Sequence, residues 1–225
     1  MDVTGRGWSL VVPLKPLAVA KSRLAEAAGG ARPALALAFA ADTVAAALAC
    51  ARVRDVTVVT DDPLAGAELG ALGAHVVPDA PGAGLNAALR HGAGQVGLRR
   101  PRSAVAALNG DLPALRPAQL AEVLDEALRA PERAFLADAA GLGTTLLAAR
   151  PGVALRPAFG GLSRARHLAS GAREILLPAV EGVRQDVDTP DDLRAALALG
   201  VGPRTAALFA DPSAAGGPLR RIACG

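Results

Sequence analysis

The sequence predicts an α/β domain: a mainly parallel central sheet flanked by helices. Three observations carry this. Short β-branched runs alternate with Ala- and Leu-rich runs along the chain, the pattern of strand–helix units on a parallel sheet. Hydrophobic residues make up 52% of the 225 positions, enough to bury a sizeable core and too many for a disordered chain. No internal repeat and no mid-chain linker divides the sequence, so one domain is expected over residues 1–200.

In chain order, the first strand is expected over residues 9–12, an apolar run that opens into a segment of prolines and cations. The stretch "PALALAFAADTVAAALACA" (33–51) contains Asp42. It reads as a buried amphipathic helix over 33–50 rather than a membrane span. Strands over 56–60, 75–77 and 104–108 follow, separated by helices over 63–72 and 84–97. A helix over 117–129 precedes strands over 134–137 and 145–148. Helices over 163–170 and 190–199 complete the domain. In the last, Thr189 is the expected cap and Pro190 the first residue, with Asp191 and Asp192 in the first turn. Residues 201–225 are rich in Gly, Pro and Ala. They are expected to form a short helix over 205–209 and then fray.

Composition narrows the function. Aromatics are 2% with no Tyr, which argues against stacking platforms for single-stranded nucleic acid. The net charge of +3 is spread among mixed acids and bases, so no nucleic-acid patch is expected. Cys50 and Cys224 make no disulfide framework, which fits a reducing compartment. No leader or membrane segment is expected, and the protein is expected in the cytoplasm.

Ligands of open α/β sheets sit beyond the carboxyl ends of the strands, so the post-strand loops hold the candidate site. After strand one, "VVPLKPLAVAKSRL" (11–24) carries Lys15, Lys21 and Arg23. It has neither a phosphate-loop signature nor a dinucleotide fingerprint, yet Lys and Arg hold polyphosphates without a glycine cradle. The plainer alternative is a solvated basic loop. "LNGDLPAL" (108–115) projects Asp111 from a strand end. A single rigid carboxylate there suits Mg²⁺ bound to phosphates, or it is a turn or capping Asp. Asp186 and Asp188 lie two apart before the Thr189 cap, on the same side of an extended segment. Either or both are candidate second ligands.

"PGAGLNAALRHGA" offers Gly84 and Asn86 for a base or ribose edge, or simply a helix cap. "GLGTTLL" places Thr144 and Thr145 at a strand start. "AFGGLSRARHLA" places Gly160, Gly161 and Ser163 at a helix start, a position suited to an anion. Arg164 and Arg166 cannot share a helix face, so at most one is expected to reach that anion. His75, His91 and His167 have no ligand spacing, and no Ser, Cys or Thr has a nucleophile context. The chemistry expected is direct transfer between bound ligands.

Seven of these motifs in this order, spanning roughly residues 8–199, resemble the 2-phospho-L-lactate / phosphoenolpyruvate guanylyltransferases of coenzyme F-420 biosynthesis. That family has a GT-A-like, Rossmann-related nucleotidyltransferase fold, akin to the molybdenum-cofactor guanylyltransferases. Here "LKPLAVAKSRL" replaces the glycine-rich signature of those relatives. The resemblance implies transfer of GMP from GTP to a phosphorylated three-carbon acid, with the product passed to a downstream transferase. It implies that Lys15, Lys21, Arg23, Gly84 and Asn86 hold the nucleotide, and that Lys21, Arg23 and Asp111 serve catalysis. Asp111, Asp186 and Asp188 would hold Mg²⁺. Thr145, Gly160 and Ser163 would hold the acid. Phosphoenolpyruvate and 2-phospho-L-lactate both remain open, although the Ala-, Arg- and Gly-rich composition suggests a GC-rich bacterial genome and favours the former. Two other readings also remain open: an inactive nucleotide- or phosphoacid-binding module, and a nucleotidyltransferase for another acceptor.

Overall fold

The computed structural model describes residues 7–210. Seven strands form one sheet: β1 (Trp8–Pro13), β2 (Val53–Val59), β3 (His75–Val77), β4 (Ala104–Leu108), β5 (Arg133–Ala137), β6 (Thr144–Ala149) and β7 (Arg173–Glu174). Their spatial order is β3-β2-β1-β4-β6-β5-β7. The β1–β2, β1–β4, β2–β3 and β5–β7 pairs are parallel, whereas β6 runs against both β4 and β5. The reversal follows from length. Only residues 138–143 separate β5 from β6, too few for the crossover that a parallel neighbour needs. The six strands expected from sequence are all present, and β7 is an addition.

Nine α-helices are described among these residues: α1 (Ala25–Ala28), α2 (Arg32–Leu48), α3 (Pro63–Ala71), α4 (Leu85–Arg99), α5 (Pro117–Ala127), α6 (Ser163–Ala169), α7 (Glu181–Arg184), α8 (Pro190–Leu199) and α9 (Pro203–Ala210). The alternation along β1 divides the core. Leu10 and Val12 face a cluster holding Val44 of α2 and Leu120 and Leu124 of α5. Val11 faces Leu89 and Val96 of α4, as a period of two requires. At the second interface α4 lies so close that a Cβ on Gly92 would stand 2.5 Å from Val11 Cγ1. Helix α8 begins as expected, with a capping box between Thr189 and Asp192.

Ser22–Leu48 is long and apolar enough to cross a membrane by length and composition, yet 56% of its most apolar window is buried inside the fold. Asp42, inside that stretch, has a partner. Its carboxylate accepts the Arg204 N–H (3.0 Å) and the Thr205 N–H (2.8 Å) at the start of α9. Those N–H groups would otherwise be orphaned at a helix start. Leu208 and Phe209 of α9 then pack on the cluster around Phe39 and Leu193. The helix expected over 205–209 is therefore longer and docked, and the boundary drawn at residue 200 falls within packed structure. Residues 211–225, and with them Cys224, lie outside the described residues.

His167 of α6 is buried and bridges two segments. Its Nε2 accepts the Ala158 N–H (3.1 Å), and its Nδ1 stands 2.9 Å from Thr144 Oγ1. An acceptor Nε2 leaves the proton on Nδ1, donated to the threonine. Burial, and then the Arg166 and Arg133 charges, push its pKa down to about 4.

Two outcomes follow. Asp42→Ala leaves two helix-start N–H groups unpaired and should cost about 1–2 kcal/mol, the range of lost helix caps. Urea denaturation measures this, and limited proteolysis should cut first around residues 201–210. His167 is held neutral in the fold while the unfolded chain has an ordinary histidine near 6.5. The unfolded state therefore binds the extra proton. Stability should be full above about 6.5 and decline as pH falls towards about 4. In His167→Gln, denaturation profiles across that window should be flatter than those of the wild type.

Candidate active site

A cleft of about 560 Å³ opens at the carboxyl ends of β1 and β4, where β6 begins. Each wall has a local reason to be there. After β1, the chain is tied down by Asp62, the cap of α3, which accepts the Leu17 N–H (2.8 Å) as well as that of Ala65 (3.0 Å). Arg32 grips the carbonyls of Ala18 (2.6 Å) and Ala20. The result presents Lys15, Lys21, Ser22 and Arg23 to the cleft. Asp61 accepts the Asp79 N–H (2.9 Å), so the carboxylates of the loop after β2 serve as local ties.

The floor is acidic. Asp111 leaves β4 where Gly110 packs 3.1 Å from Val12 Cγ1, counting an added Cβ. The Leu112 N–H is held by Thr43 Oγ1 of α2 (3.0 Å), and the Asp111 carbonyl accepts the Val187 N–H (3.1 Å). The same bond brings Asp186 and Asp188 alongside. Lys21 Nζ donates to Asp111 and to Asp188, the latter at 2.9 Å. Arg23 stands 3.8 Å from Asp188.

Electrostatics follow this arrangement. Burial alone would lower the Lys21 pKa, but Asp111 and then Asp188 outweigh it and raise the value above that of an ordinary lysine. Asp186 lies well above the carboxylate range, because of burial first and then Asp111, Asp188 and Asp138. Burial also opposes ionisation of Asp188, yet Lys21, followed by Arg23 and Lys15, holds its pKa below normal.

The opposite wall comes from residues 159–163 and 138–144. Gly160, Gly161 and Ser163 line it, as does Thr144. Thr145 does not. The β5–β6 register slips between Leu136 and Ala137, making Thr145 the extra residue of a bulge. Its buried hydroxyl has no hydrogen-bond partner.

Gly84 and Asn86 are also absent from the lining, where Leu85 stands instead. The Asn86 amide is taken up at both ends: Oδ1 accepts the Phe159 N–H (2.8 Å) and Nδ2 donates to the Phe159 carbonyl (3.1 Å). It is a clamp on the 159–163 wall and not an available reader of a base. Arg164 pairs with Glu174 (2.8 Å), and Arg166 donates to the carbonyls of Ala158 (3.1 Å) and Gly160. Both arginines are thus committed to the protein.

Among the lining residues not singled out from sequence are Asp138 and Asn109. Asp138 accepts the Leu142 and Gly143 N–H groups (2.9 and 2.8 Å), folding the turn that delivers Thr144. Its place directly after a strand was the available signal. Asn109 donates to Asp186 at 3.4 Å.

Among the described residues no three Asp, Glu, His or Cys side chains form a ready-made cation site, and Lys21 donates to both Asp111 and Asp188. The donor set nevertheless suits Mg²⁺. Its oxygens are hard ligands, one Asp111 oxygen is buried without a partner, and one or two carboxylates with phosphate and water satisfy that ion.

A family model for the MobA-like NTP transferase domain matches residues 37–184. A phosphoenolpyruvate guanylyltransferase of Streptomyces coelicolor is 69% identical over 204 residues, covering 90% of this chain and 96% of its own. The protein of the same name in Streptomyces avermitilis is 70% identical over 204 residues, covering 90% and 94%. Among solved structures, a protein assigned as a nucleotide-diphospho-sugar transferase from Desulfovibrio desulfuricans G20 superposes with a TM-score of 0.68 at 16% identity, covering 96% and 97%. A CMP-2-keto-3-deoxy-manno-octonic acid synthetase superposes at 0.54 and 19%, covering 86% and 98%. These last two bear on the fold alone. With a nucleotidyltransferase sheet, an acidic floor between a cationic wall and a glycine-rich one, and relatives matched nearly end to end, the chain belongs to the phosphoenolpyruvate guanylyltransferase family of MobA-like NTP transferase domains.

Proposed function

We propose that the chain transfers GMP from GTP to the phosphate of phosphoenolpyruvate, releasing pyrophosphate. The observation that carries this is a cleft with two unlike anion-facing walls, Lys15–Arg23 and Gly160–Ser163, meeting over Lys21, Asp111 and Asp188. The names of the relatives support this pair of substrates. 2-Phospho-L-lactate differs only in its carbon skeleton and is the alternative acceptor. On this reading, which the family resemblance supports, the product would enter coenzyme F-420 biosynthesis in the cytoplasm and pass to a downstream transferase.

The chemistry is set by charge. A phosphate oxygen of the acceptor attacks the α-phosphorus of GTP. The new O–P bond forms as the bond to the β-phosphate oxygen breaks, and pyrophosphate departs with that electron pair. The attacking oxygen is already ionised, so no general base is required, and His167 is locked in structural bonds. The obstacle is repulsion between two polyanions. Lys15 and Arg23 lie on the triphosphate side, where their charges offset it. Gly160 and Gly161, both with positive φ, let the acceptor approach the backbone, and Ser163 contributes a hydroxyl. Asp111 with Asp186 or Asp188 would hold Mg²⁺, which would supply charge neutralisation to the reacting phosphates. Fixed geometry supplies the remainder.

Pyrophosphate release with GTP and each acid in turn tests the assignment, and no release with either acid overturns it. Asp111→Asn should lower turnover by about 10²–10³, the usual scale for a lost transition-state electrostatic contact, with a melting temperature near that of the wild type. Ser163→Ala should raise the KM for the acceptor about tenfold, as expected for one lost hydrogen bond to a charged group. GTP binding measured without acceptor should stay unchanged. Weakened GTP binding with acceptor dependence intact would mean that the two walls have been exchanged.

A further inference from the structure

Lys21 combines two features in tension. Its backbone lies in the left-handed region (φ 55°, ψ 42°), which a residue with a Cβ adopts rarely and at a cost. Its ammonium, meanwhile, is committed to Asp111 and Asp188, at the floor of the cleft that Lys15, Ser22 and Arg23 also line. The backbone around it is fixed. Arg32 holds the carbonyls of Ala18 and Ala20 just before it. The Leu24 N–H bonds to the Lys21 carbonyl (2.9 Å) just after it. The freedom left is that of the flexible four-carbon side chain.

The charges around that ammonium do not balance. Asp111, Asp138, Asp186 and Asp188 line one cleft. Among the described residues Asp186 pairs with no cation, and one Asp111 oxygen is buried without a partner. Lys21, with Arg23 3.8 Å from Asp188, meets Asp111 and Asp188 and leaves Asp186 and Asp138 without an ion pair among the described residues. A divalent ion would bring twice the charge and take oxygen ligands from Asp111 and its neighbours. A divalent ion on these carboxylates would lie within a few ångströms of the ammonium, and repulsion between the two cations would weaken the hold on Lys21.

We propose that Lys21 is an exchangeable counter-ion, which fills the position between Asp111 and Asp188 until a divalent cation and a nucleoside triphosphate arrive together, and then turns to the triphosphate. The proposal rests on the guanylyltransferase reading above. A cation alone must expel an ammonium that gains no new partner. A triphosphate alone must draw Lys21 off its carboxylates and leave them bare against phosphate. Together, each ligand replaces what the other displaces. The two therefore bind cooperatively, and by linkage each raises the affinity of the other by the same factor.

The test is Mn²⁺ titration without nucleotide, read from the paramagnetic resonance of the free ion. Lys21→Met should bind Mn²⁺ about tenfold or more tighter than the wild type, within the usual span of site-to-site coupling. Added GTP, without acceptor, should then improve Mn²⁺ affinity much less than it does in the wild type. Lys21→Gln, uncharged but still able to donate to Asp111, should behave likewise and covers the case in which the methionine variant does not fold. Lys15→Met removes a cleft cation outside the Asp111–Asp188 contact and should change nucleotide-free Mn²⁺ binding far less. Equal or weaker Mn²⁺ binding in the Lys21 variants overturns the proposal. The measurement needs neither acceptor nor turnover. A protein that fails to charge phosphoenolpyruvate would defeat the proposed function while leaving this inference intact, and normal charging with unchanged Mn²⁺ affinity would do the reverse.

Discussion

The organisation of this molecule depends on the contact of Lys21 with Asp111 and Asp188. Carboxylates gathered at one end of a sheet repel one another and resist burial, and the fold concentrates them at a single point. Much of the surrounding structure exists to hold that point in place. Thr43 in the middle of α2 donates to the Phe39 carbonyl (2.7 Å) while accepting the N–H after Asp111. The Asn109 N–H bonds to the Thr145 carbonyl (2.9 Å), and Val187 to that of Asp111. Three separate stretches of chain are thus stitched by their backbones, and their carboxylates converge without further choice.

The wall of residues 159–163 is built differently, from backbone that side chains of other elements hold. Asn86, His167 and Arg166 all bind the backbone of residues 158–160. A loop containing two glycines with positive φ has little rigidity of its own. Side chains from α4 and α6 supply it from outside. The two walls therefore use opposite strategies: charge placed on a tied loop on one side, and a backbone made rigid by neighbours on the other.

The sequence made the strand–helix order legible because that order is a local property of hydrophobic period and turn chemistry. It made Lys15, Lys21, Arg23, Asp111, Asp186, Asp188, Gly160 and Ser163 legible as lining of one cleft, because all lie in loops just beyond strand ends or at a helix start, where ligands of such sheets gather. Asn86 was misread because its partner Phe159 is 73 residues away, and a helix-start amide looks the same whether it meets a base or a peptide. The sequence reading chose Thr145 where the structure turns Thr144 to the cleft, since neighbouring strand residues face opposite ways and one bulged residue shifts the alternation. The docking of α9 was hidden for the same reason as the Asn86 clamp, because nothing near residue 205 points to Asp42.

The pairing of Asp42 with the start of α9 spans 163 positions of sequence, which has a consequence for biosynthesis. At roughly 5–20 residues per second, α2 leaves the ribosome on the order of ten seconds before its partner is made. During that interval a mostly apolar helix carries a carboxylate that has no backbone donors to meet, and it cannot settle fully into a core. Closure of the domain therefore awaits nearly the last described residues, a contact of very high order that slows folding. Chaperone demand and aggregation risk should be greatest for chains stalled short of α9.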